Sequence, residues 1–486
     1  MTTRKKVPWS HWDRFLFIVL GLIFVLVIGL SIWFHELDKN PEVSIPTPTP
    51  PAVNAFPYYK VASEAVIDSD KIGVALSPPS DFSGRRLPHR SGYSLGMGMP
   101  GMGGMPGMGR PGMGQALNNQ PCTYSQPCTF AQKEALVSEN MGAIQMLHLG
   151  FRYPYQQPRI ISFPALYPDG AKIRGLGRLL ALQAQVKLKQ GDWTGAMTCD
   201  LDAIQLGEEI PHGGTLIPML IGIACQANGR RHAWDIVNHL NSVQAQAAIR
   251  RLEQIRADHV SLNIILQEEK WVEQAGLLEL MRNRNWPNNL YDVSHVEYII
   301  DVPPWRARLL PIQIQMIGKR RIMANYTRFM NQTITKERHP FVVAAHLPDP
   351  PLPNDPVNQL TLSPSLGDCH LRELNAHTQN ALLLTMIALH AYQLDHGAYP
   401  NTLSALVPHY LKAIPNDPFA LSSPLRYKQL GSSYLLYSIG PDGKDDGGRP
   451  SFDKTYAPPS VKGGFDRRYW VRQNSQGDIV AGVNTT

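Results

Sequence analysis

The most regular feature of the chain is an apolar run close to its N-terminus. Residues 15–34 read FLFIVLGLIFVLVIGLSIWF and contain no charged side chain. A helix of that length extends about 30 Å at about 1.5 Å per residue, which matches the hydrocarbon core of a bilayer. The run therefore predicts a transmembrane helix over 15–34.

The charges on either side of this run predict its orientation. Basic side chains dominate before it and acidic ones after it: Arg4, Lys5, Lys6 and Arg14 precede the run with Asp13, and Glu36, Asp38, Lys39 and Glu42 follow it. By the positive-inside rule, residues 1–14 form a cytoplasmic tail and the bulk of the chain lies outside the cytoplasm. A cleaved signal peptide is the alternative, but its apolar core is usually about 7–15 residues and a small-x-small site follows closely.

Apolar positions recur at helical spacing through residues 121–336, which predicts a mainly α-helical domain. The clearest unit, Ile173–Glu209, is interrupted by Gly191-Asp192-Trp193. This pattern resembles a tetratricopeptide-type hairpin, and a partial echo around Gly229 extends the resemblance over residues 173–240. The echo does not keep that family's period of about 34 residues, so an ordinary helical bundle remains the alternative. Hairpins of this type form concave surfaces that bind peptides or partner helices.

The C-terminal part has a mixed pattern that predicts a small α+β lobe over 369–486. A long helical stripe ends at a Gly-Ala-Tyr-Pro terminator, and two alternating runs are joined by a turn that contains glycine. The predicted elements are helices at Arg372–His396 and Thr402–Leu411, a hairpin of Leu425–Gln429 with Tyr434–Ile439, and a final hairpin of Arg467–Arg472 with Ile479–Val483.

Proline and glycine mark the boundaries between these bodies. The chain holds 41 Pro and 39 Gly among 486 residues, and they cluster. Proline fixes φ and removes a donor, so the clusters predict a spacer over 35–57 and a linker over 337–368. Residues 92–120 read as a low-complexity loop, and 58–91 receive no assignment.

The low-complexity loop is rich in methionine as well as glycine. Its thioethers are Met97, Met99, Met102, Met105, Met108 and Met113. Soft thioether ligands suit Cu(I), so a copper site is one hypothesis. The alternative is a flexible segment in which Met accumulated, because no His or Cys is interleaved.

The five cysteines point to structure rather than to a metal. Cys122 and Cys128 would close a small loop, and a disulfide between them would persist outside the cytoplasm. A zinc site is disfavoured because no second Cys or His pair stands at ligand spacing nearby. Cys199 and Cys225 fall in apolar helical stretches, where a free Cys is usually a small core residue.

The C-terminal lobe resembles the ectodomain of the major, G-type pseudopilin of type II secretion systems. The matching stretches are ALHAYQLDHGAYPNTLSALV, IPNDPF, LRYKQL and YLLYSIGPDGKDDGG, in that order, within about 372–449. In that family an acidic loop after the hairpin holds calcium, so the resemblance implies Asp442, Asp445 and Asp446 as ligands here. Calcium takes about 6–8 oxygen ligands, which a loop of carboxylates and carbonyls can offer. A solvated Asp-Gly turn is the alternative.

The chain departs from that family at its N-terminus. Asp13-Arg14-Phe15 lacks the glycine of a prepilin-peptidase site, and the apolar run lacks the glutamate that follows it in pseudopilins. In addition, the lobe is separated from the membrane helix by the helical domain and both proline-rich segments. Assembly into a pseudopilus is therefore not expected.

Charge and motifs give no sign of an enzyme or a nucleic-acid binder. The net charge is only +7, and the basic triplet Lys319-Arg320-Arg321 has no aromatic platform around it. A phosphate loop and an HExxH helix are absent from the sequence. We therefore expect a non-enzymatic interaction or structural protein of the bacterial inner membrane with an unidentified protein partner. The alternatives are an accessory component of a type II secretion or type IV pilus-like machine and a cryptic cell-envelope enzyme.

Overall fold

The computed structural model describes residues 11–76, 122–123, 127–159, 161, 167, 169–283, 285–294, 309–362, 366–456 and 467–484. Within these residues the fold is mostly helical and carries one small antiparallel sheet. The helices are α1 (His11–Asp38), α2 (Phe56–Glu64), α3 (Ser69–Leu76), α4 (Phe130–Glu139), α5 (Met141–Gly150), α6 (Gly170–Lys189), α7 (Trp193–Glu209), α8 (Leu216–Ile236), α9 (Ser242–Ala257), α10 (Leu262–Arg282), α11 (Trp286–Ser294), α12 (Leu310–Ile317), α13 (Lys319–Glu337), α14 (Phe341–Ala344), α15 (Pro356–Thr361) and α16 (Leu366–His396).

Helix α1 includes the predicted apolar run and is long and apolar enough to cross a membrane. The segment that meets this description is Phe15–Asp38, and the rest of the protein buries none of its 18 most apolar consecutive residues. Its C-terminal end contacts α12 and α13. There Lys319 pairs with Asp38 at 2.8 Å and Arg320 with Glu36 at 3.1 Å.

Helices α6, α7, α8 and α9 form the centre of the fold. The predicted turn between α6 and α7 is present: Gly191 adopts φ +78°, and Asp192 caps α7 by accepting a hydrogen bond from the Gly195 N–H at 2.8 Å. The predicted echo at Gly229 is not a second turn, because α8 continues through it. A Cβ on Gly229 would collide with the backbone and side chains of α7, so this glycine serves close helix packing instead.

Within the predicted helical domain, apolar spacing over Arg306–Thr333 predicts one continuous helix, but the described part of that stretch is broken. Gly318 has φ +84° and separates α12 from α13. L-residues other than glycine seldom adopt this conformation, so the glycine allows a bend that helical periodicity alone does not reveal. Helix α13 packs on α10 and continues the helical body.

The lobe combines α16 with a sheet of order β1-β2-β3, formed by Arg426–Leu430, Ser433–Ser438 and Ile479–Val480. The predicted hairpin is present with strand limits shifted by about one residue, and Tyr427 stands opposite Leu436. Two predicted elements differ. Thr402–Leu411 holds only a 3₁₀ turn at Leu403–Leu406, and β3 pairs with β2 instead of forming a hairpin with 467–472. That segment has a 3₁₀ turn at Arg467–Tyr469.

One hydrophobic core crosses the boundary between the helical body and the lobe. It joins Leu201 and Leu252 of the body to Leu384 of α16 and to Leu436 and Ile479 of the sheet. The proline-rich segment 337–368 contributes α14 and α15, and Phe341 of α14 packs on Phe419 of the lobe with ring centroids 5.4 Å apart. The spacer after α1 also lies against the body, where Asn54 donates to the Gln156 carbonyl at 2.7 Å.

Candidate functional site

The acidic loop of the lobe holds its carboxylates apart. Asp445 faces Arg426 at 3.2 Å and accepts a hydrogen bond from the Tyr437 hydroxyl at 2.9 Å. Asp446 pairs with Arg449 at 2.7 Å, while Asp442 accepts from the Lys444 N–H at 3.1 Å. Thus two of the three predicted calcium ligands are neutralised by arginine.

The donor set of this loop does not fit a calcium ion as arranged. In the part of the chain that the structure describes, no group of three or more His, Cys, Asp or Glu side chains converges as a metal site would require. A cation would have to displace both guanidinium groups before the carboxylates could approach one another. Calcium binding by Asp442, Asp445 and Asp446 therefore stays a prediction from the resemblance.

Two buried aspartates, which sequence reasoning missed, organise the same region. Asp417 accepts hydrogen bonds from the Ser438 hydroxyl at 2.6 Å and from the N–H groups of Phe419 and Ile439 at 3.0 and 2.9 Å. Asp478 accepts from the Gly448 N–H at 2.6 Å. Burial raises the pKa of both carboxyls, and these hydrogen bonds oppose the shift. Their role is to fold the turns around the sheet.

The remaining residues singled out in the sequence are the cysteines and the methionines. Cys122 and Cys128 are joined in a disulfide, and Cys199, Cys225 and Cys369 are buried and form no disulfide. The methionine-rich loop with its copper hypothesis lies outside the described residues.

A row of buried acids on α7 forms a second polar region, which the sequence analysis did not identify. Each acid meets a different element. Asp200 lies 3.7 Å from His232 of α8, Asp202 binds His148 of α5 and Arg251 of α9, Glu208 binds His259, and Glu209 accepts from the Tyr59 hydroxyl of α2. Helix α7 is therefore held to its surroundings by buried charge as well as by apolar packing.

The centre of this region is His259, in the loop between α9 and α10. Its Nδ1 lies 3.2 Å from Glu208 and its Nε2 lies 2.6 Å from Glu373 of α16. Both carboxylate side chains are over nine-tenths buried. Asn380 of α16 donates to Glu208 at 3.0 Å and accepts from Arg230 at 2.8 Å. We call these five residues the buried charge network; it joins the helical body to the lobe.

The protonation states follow from these contacts. Burial lowers the pKa of His259, but its hydrogen bonds to Glu208 and Glu373 outweigh that effect and raise it to about 10. His377 stacks on the His259 ring with centroids 4.6 Å apart. Burial, followed by the nearby Arg256 and His259, lowers the pKa of His377 to about 3. One imidazole is thus charged and its neighbour neutral near pH 7.

A polar pocket of about 750 Å³ opens beside the network, between α7 and α9. Its charged wall contains Glu208, Glu209, Arg250, Arg251 and Asp258. Burial raises the pKa of Glu209 to about 7, with hydrogen bonds from Tyr59 and Gln205 opposing. The pocket therefore offers carboxyl and guanidinium groups at once, which suits a ligand carrying both donors and acceptors, such as a polar peptide segment.

One signal in the sequence pointed to this region. Helix α7 reads CDLDAIQLGEE, in which acids occupy apolar-facing positions of an otherwise ordinary core helix. Acids at such positions indicate buried partners. Their partners come from α2, α5, α8, α9 and α16, so only the tertiary fold identifies them.

Comparisons with known proteins returned nothing: no family model, no curated protein and no solved structure matches this chain.

Proposed function

We propose that this chain is a single-pass, membrane-anchored, extracytoplasmic protein whose body and lobe act together as an interaction or structural module. The observation that carries the proposal is the exposed apolar surface of α1 between Phe15 and Phe34. Each such side chain costs up to about 1.5–3 kcal/mol when it is left in water rather than buried, so ten of them amount to at most about 15–30 kcal/mol. A bilayer removes that cost.

Two further observations support the proposed orientation, in which the body and the lobe lie outside the cytoplasm. The basic residues before α1 favour the cytoplasm for residues 1–14. The disulfide between Cys122 and Cys128 suits an oxidising compartment such as the space outside the bacterial inner membrane. Both arguments give the same orientation.

The interaction role rests on the polar pocket and on the rigid join between body and lobe. Five side chains of the buried charge network fix α16 against α7 and α8, so a partner would meet one continuous surface. Arg250 stands exposed at the pocket wall, where an acidic side chain of a partner could reach it.

Membrane anchoring is tested by alkaline carbonate extraction of the full chain expressed in bacteria. We expect the protein to stay in the membrane pellet, and a double variant Ile23→Arg/Leu26→Arg to lose this behaviour. A wild-type chain released by carbonate, or a processed form without α1, would overturn the proposal.

The interaction role is tested by a photoreactive residue at position 250 of the full chain in intact cells. A discrete protein adduct is expected from this site. The matched control is position 421, because Leu421 is also strongly exposed but belongs to the lobe and does not line the pocket. Equal adducts from both sites, or none, would contradict a specific partner at the pocket.

A second candidate function is an accessory component of a secretion or pilus-like machine. The arrangement that favours it is the lobe, in which a long helix packs on an antiparallel hairpin that is followed by an acidic loop. Co-purification of the full chain with a co-expressed major pseudopilin would support this candidate. Failure to co-purify in mild detergent would remove it and leave the leading proposal unchanged.

A further inference from the structure

The short helix α12 and the residue before it carry an apolar stripe that the described part of the protein leaves uncovered. Leu309, Ile312 and Met316 are 43%, 58% and 52% exposed, whereas Leu310 and Ile314 on the other side are buried. At 3.6 residues per turn, the three exposed side chains fall on one line along the helix. Gln313 and Gln315, also exposed, flank this line on its two sides.

The position of α12 next to α1 is the second observation. Helices α1 and α12 contact each other. A Cβ on Gly318, which directly follows α12, would come within 2.9 Å of the Leu37 side chain. Leu37 is one residue before α1 ends at Asp38. The end of α12 therefore lies at the level where the apolar helix ends.

Charged residues bound this region on the side of the body. Lys319 and Arg320 pair with Asp38 and Glu36 and so fix the start of α13 to the end of α1. Arg321 is exposed one residue further along. Apolar side chains with basic residues immediately beside them form the pattern of helices that lie at the boundary between lipid tails and headgroups.

We propose that α12 lies in the outer leaflet interface, with Leu309, Ile312 and Met316 inserted among the lipid chains and Arg321 at the level of the headgroup phosphates. The partner of this surface is the phospholipid bilayer itself. The inference rests on the proposed membrane anchoring by α1 and adds a second contact. Together the two contacts fix the tilt of the body over the membrane. With α1 as the single anchor, the body would be free to rotate about the axis of that helix.

The test uses the purified full chain in proteoliposomes of phosphatidylethanolamine and phosphatidylglycerol. Single variants Ile312→Cys, Met316→Cys, Leu26→Cys and Val243→Cys are labelled with an environment-sensitive fluorophore. Two of the native cysteines form the disulfide and the other three are buried, so background labelling is low. Lipids with a nitroxide on the acyl chain then quench those probes that lie in the bilayer.

We expect the probes at 312 and 316 to be quenched and blue-shifted, to a degree between the deep probe at 26 and the water-exposed probe at 243. Val243 is the matched control because it is 75% exposed and apolar but lies on α9. Quenching at 26 together with a water-like signal at 312 and 316 would overturn this inference and leave the anchor intact. A water-like signal at 26 as well would overturn the anchor and the inference together.

Discussion

The two longest helices of the described structure show how differently a long apolar helix can be accommodated. Helix α1 has 28 residues and α16 has 31. On α1 the apolar side chains face outward all round, and charged side chains are confined to its ends. On α16 the apolar residues are buried by α8, α9 and β2, and buried polar side chains are interspersed with them.

The difference in polar content between α1 and α16 indicates what surrounds each helix. The polar residues of α16 are tolerated in the interior because the fold supplies partners: Glu373 meets His259, Asn380 meets Glu208 and Arg230, and His390 meets the Leu240 carbonyl at 2.9 Å. Lipid supplies no such partners, so a membrane-spanning segment carries few polar side chains and, above all, few charged ones. The two compositions therefore fit two environments, protein and bilayer.

The largest effect is expected when the same charge is placed in each of these two helices. Leu384 of α16 is 2% exposed, so Leu384→Arg buries a charge without a partner and should cost about 5 kcal/mol or more, enough to unfold the body. Leu26→Arg should cost about 2.5–3.5 kcal/mol of membrane insertion and leave the body folded. Urea unfolding followed by tryptophan fluorescence separates the two results. A body that unfolds with Leu26→Arg would contradict the distinction.

A smaller effect is expected from removing one member of the buried charge network. His259→Ala leaves Glu208 and Glu373 buried without their cation, so the free energy of unfolding should fall by about 3–5 kcal/mol. The measurement is urea unfolding of the full chain in detergent. Arg282→Ala is the control, because its ion pair with Glu279 is exposed, and no measurable change is expected. Equal losses in both variants would show that the network contributes nothing special.

The pH dependence of the free energy of unfolding tests whether His259 is charged in the folded protein. His259 has a pKa of about 10 in the fold against about 6.5 in an unfolded chain, so its contribution is complete below pH 6.5 and is lost as pH rises towards 10. We expect a loss of about 2–4 kcal/mol across this window. His259→Gln should flatten the profile. A wild-type profile that is already flat between pH 6.5 and 10 would contradict a charged His259.

The smallest effect belongs to the acidic loop, where the carboxylates are exposed to water. Asp445→Asn removes a surface pair with Arg426 and should change stability by about 0–1 kcal/mol. Asp478→Asn, directly before β3, is the contrast: it weakens a fully buried acceptor of backbone N–H groups from this loop and should cost about 1–3 kcal/mol. Scanning calorimetry of the full chain measures both.

Calcium provides a further readout from this loop. Because Arg426 and Arg449 already neutralise Asp445 and Asp446, we expect no rise in melting temperature when Ca²⁺ is added. A rise that Asp445→Asn abolishes would support the calcium hypothesis drawn from the resemblance.

Local periodicity predicted a good part of this fold. The run at 15–34 and the stripe at 372–396 both lie inside observed helices, and the hairpin is placed within about a residue. Their signals are local, because side chains within a few turns or across one tight turn decide them. The misses also have local causes: Gly318 bends a predicted helix, and Gly229 serves helix packing where a turn was expected.

The polar sites depend on contacts between distant parts of the chain, so the sequence alone could not identify them. Glu208 and Glu373 are 165 positions apart by their numbers, yet both bind His259. Conversely, Asp442, Asp445 and Asp446 are close in the sequence but do not converge on a common point. Clustering along the chain is therefore a poor guide to clustering in space for this protein.

The orientation of the chain in the membrane tests directly whether α1 anchors the protein with its body outside the cytoplasm. In spheroplasts that express the full chain, Val243→Cys or Thr3→Cys is treated with a maleimide that does not cross membranes. The account predicts that position 243 is labelled at once, and that position 3 is labelled only after detergent opens the inner membrane. Labelling of position 3 in intact spheroplasts, or protection of position 243, would contradict it.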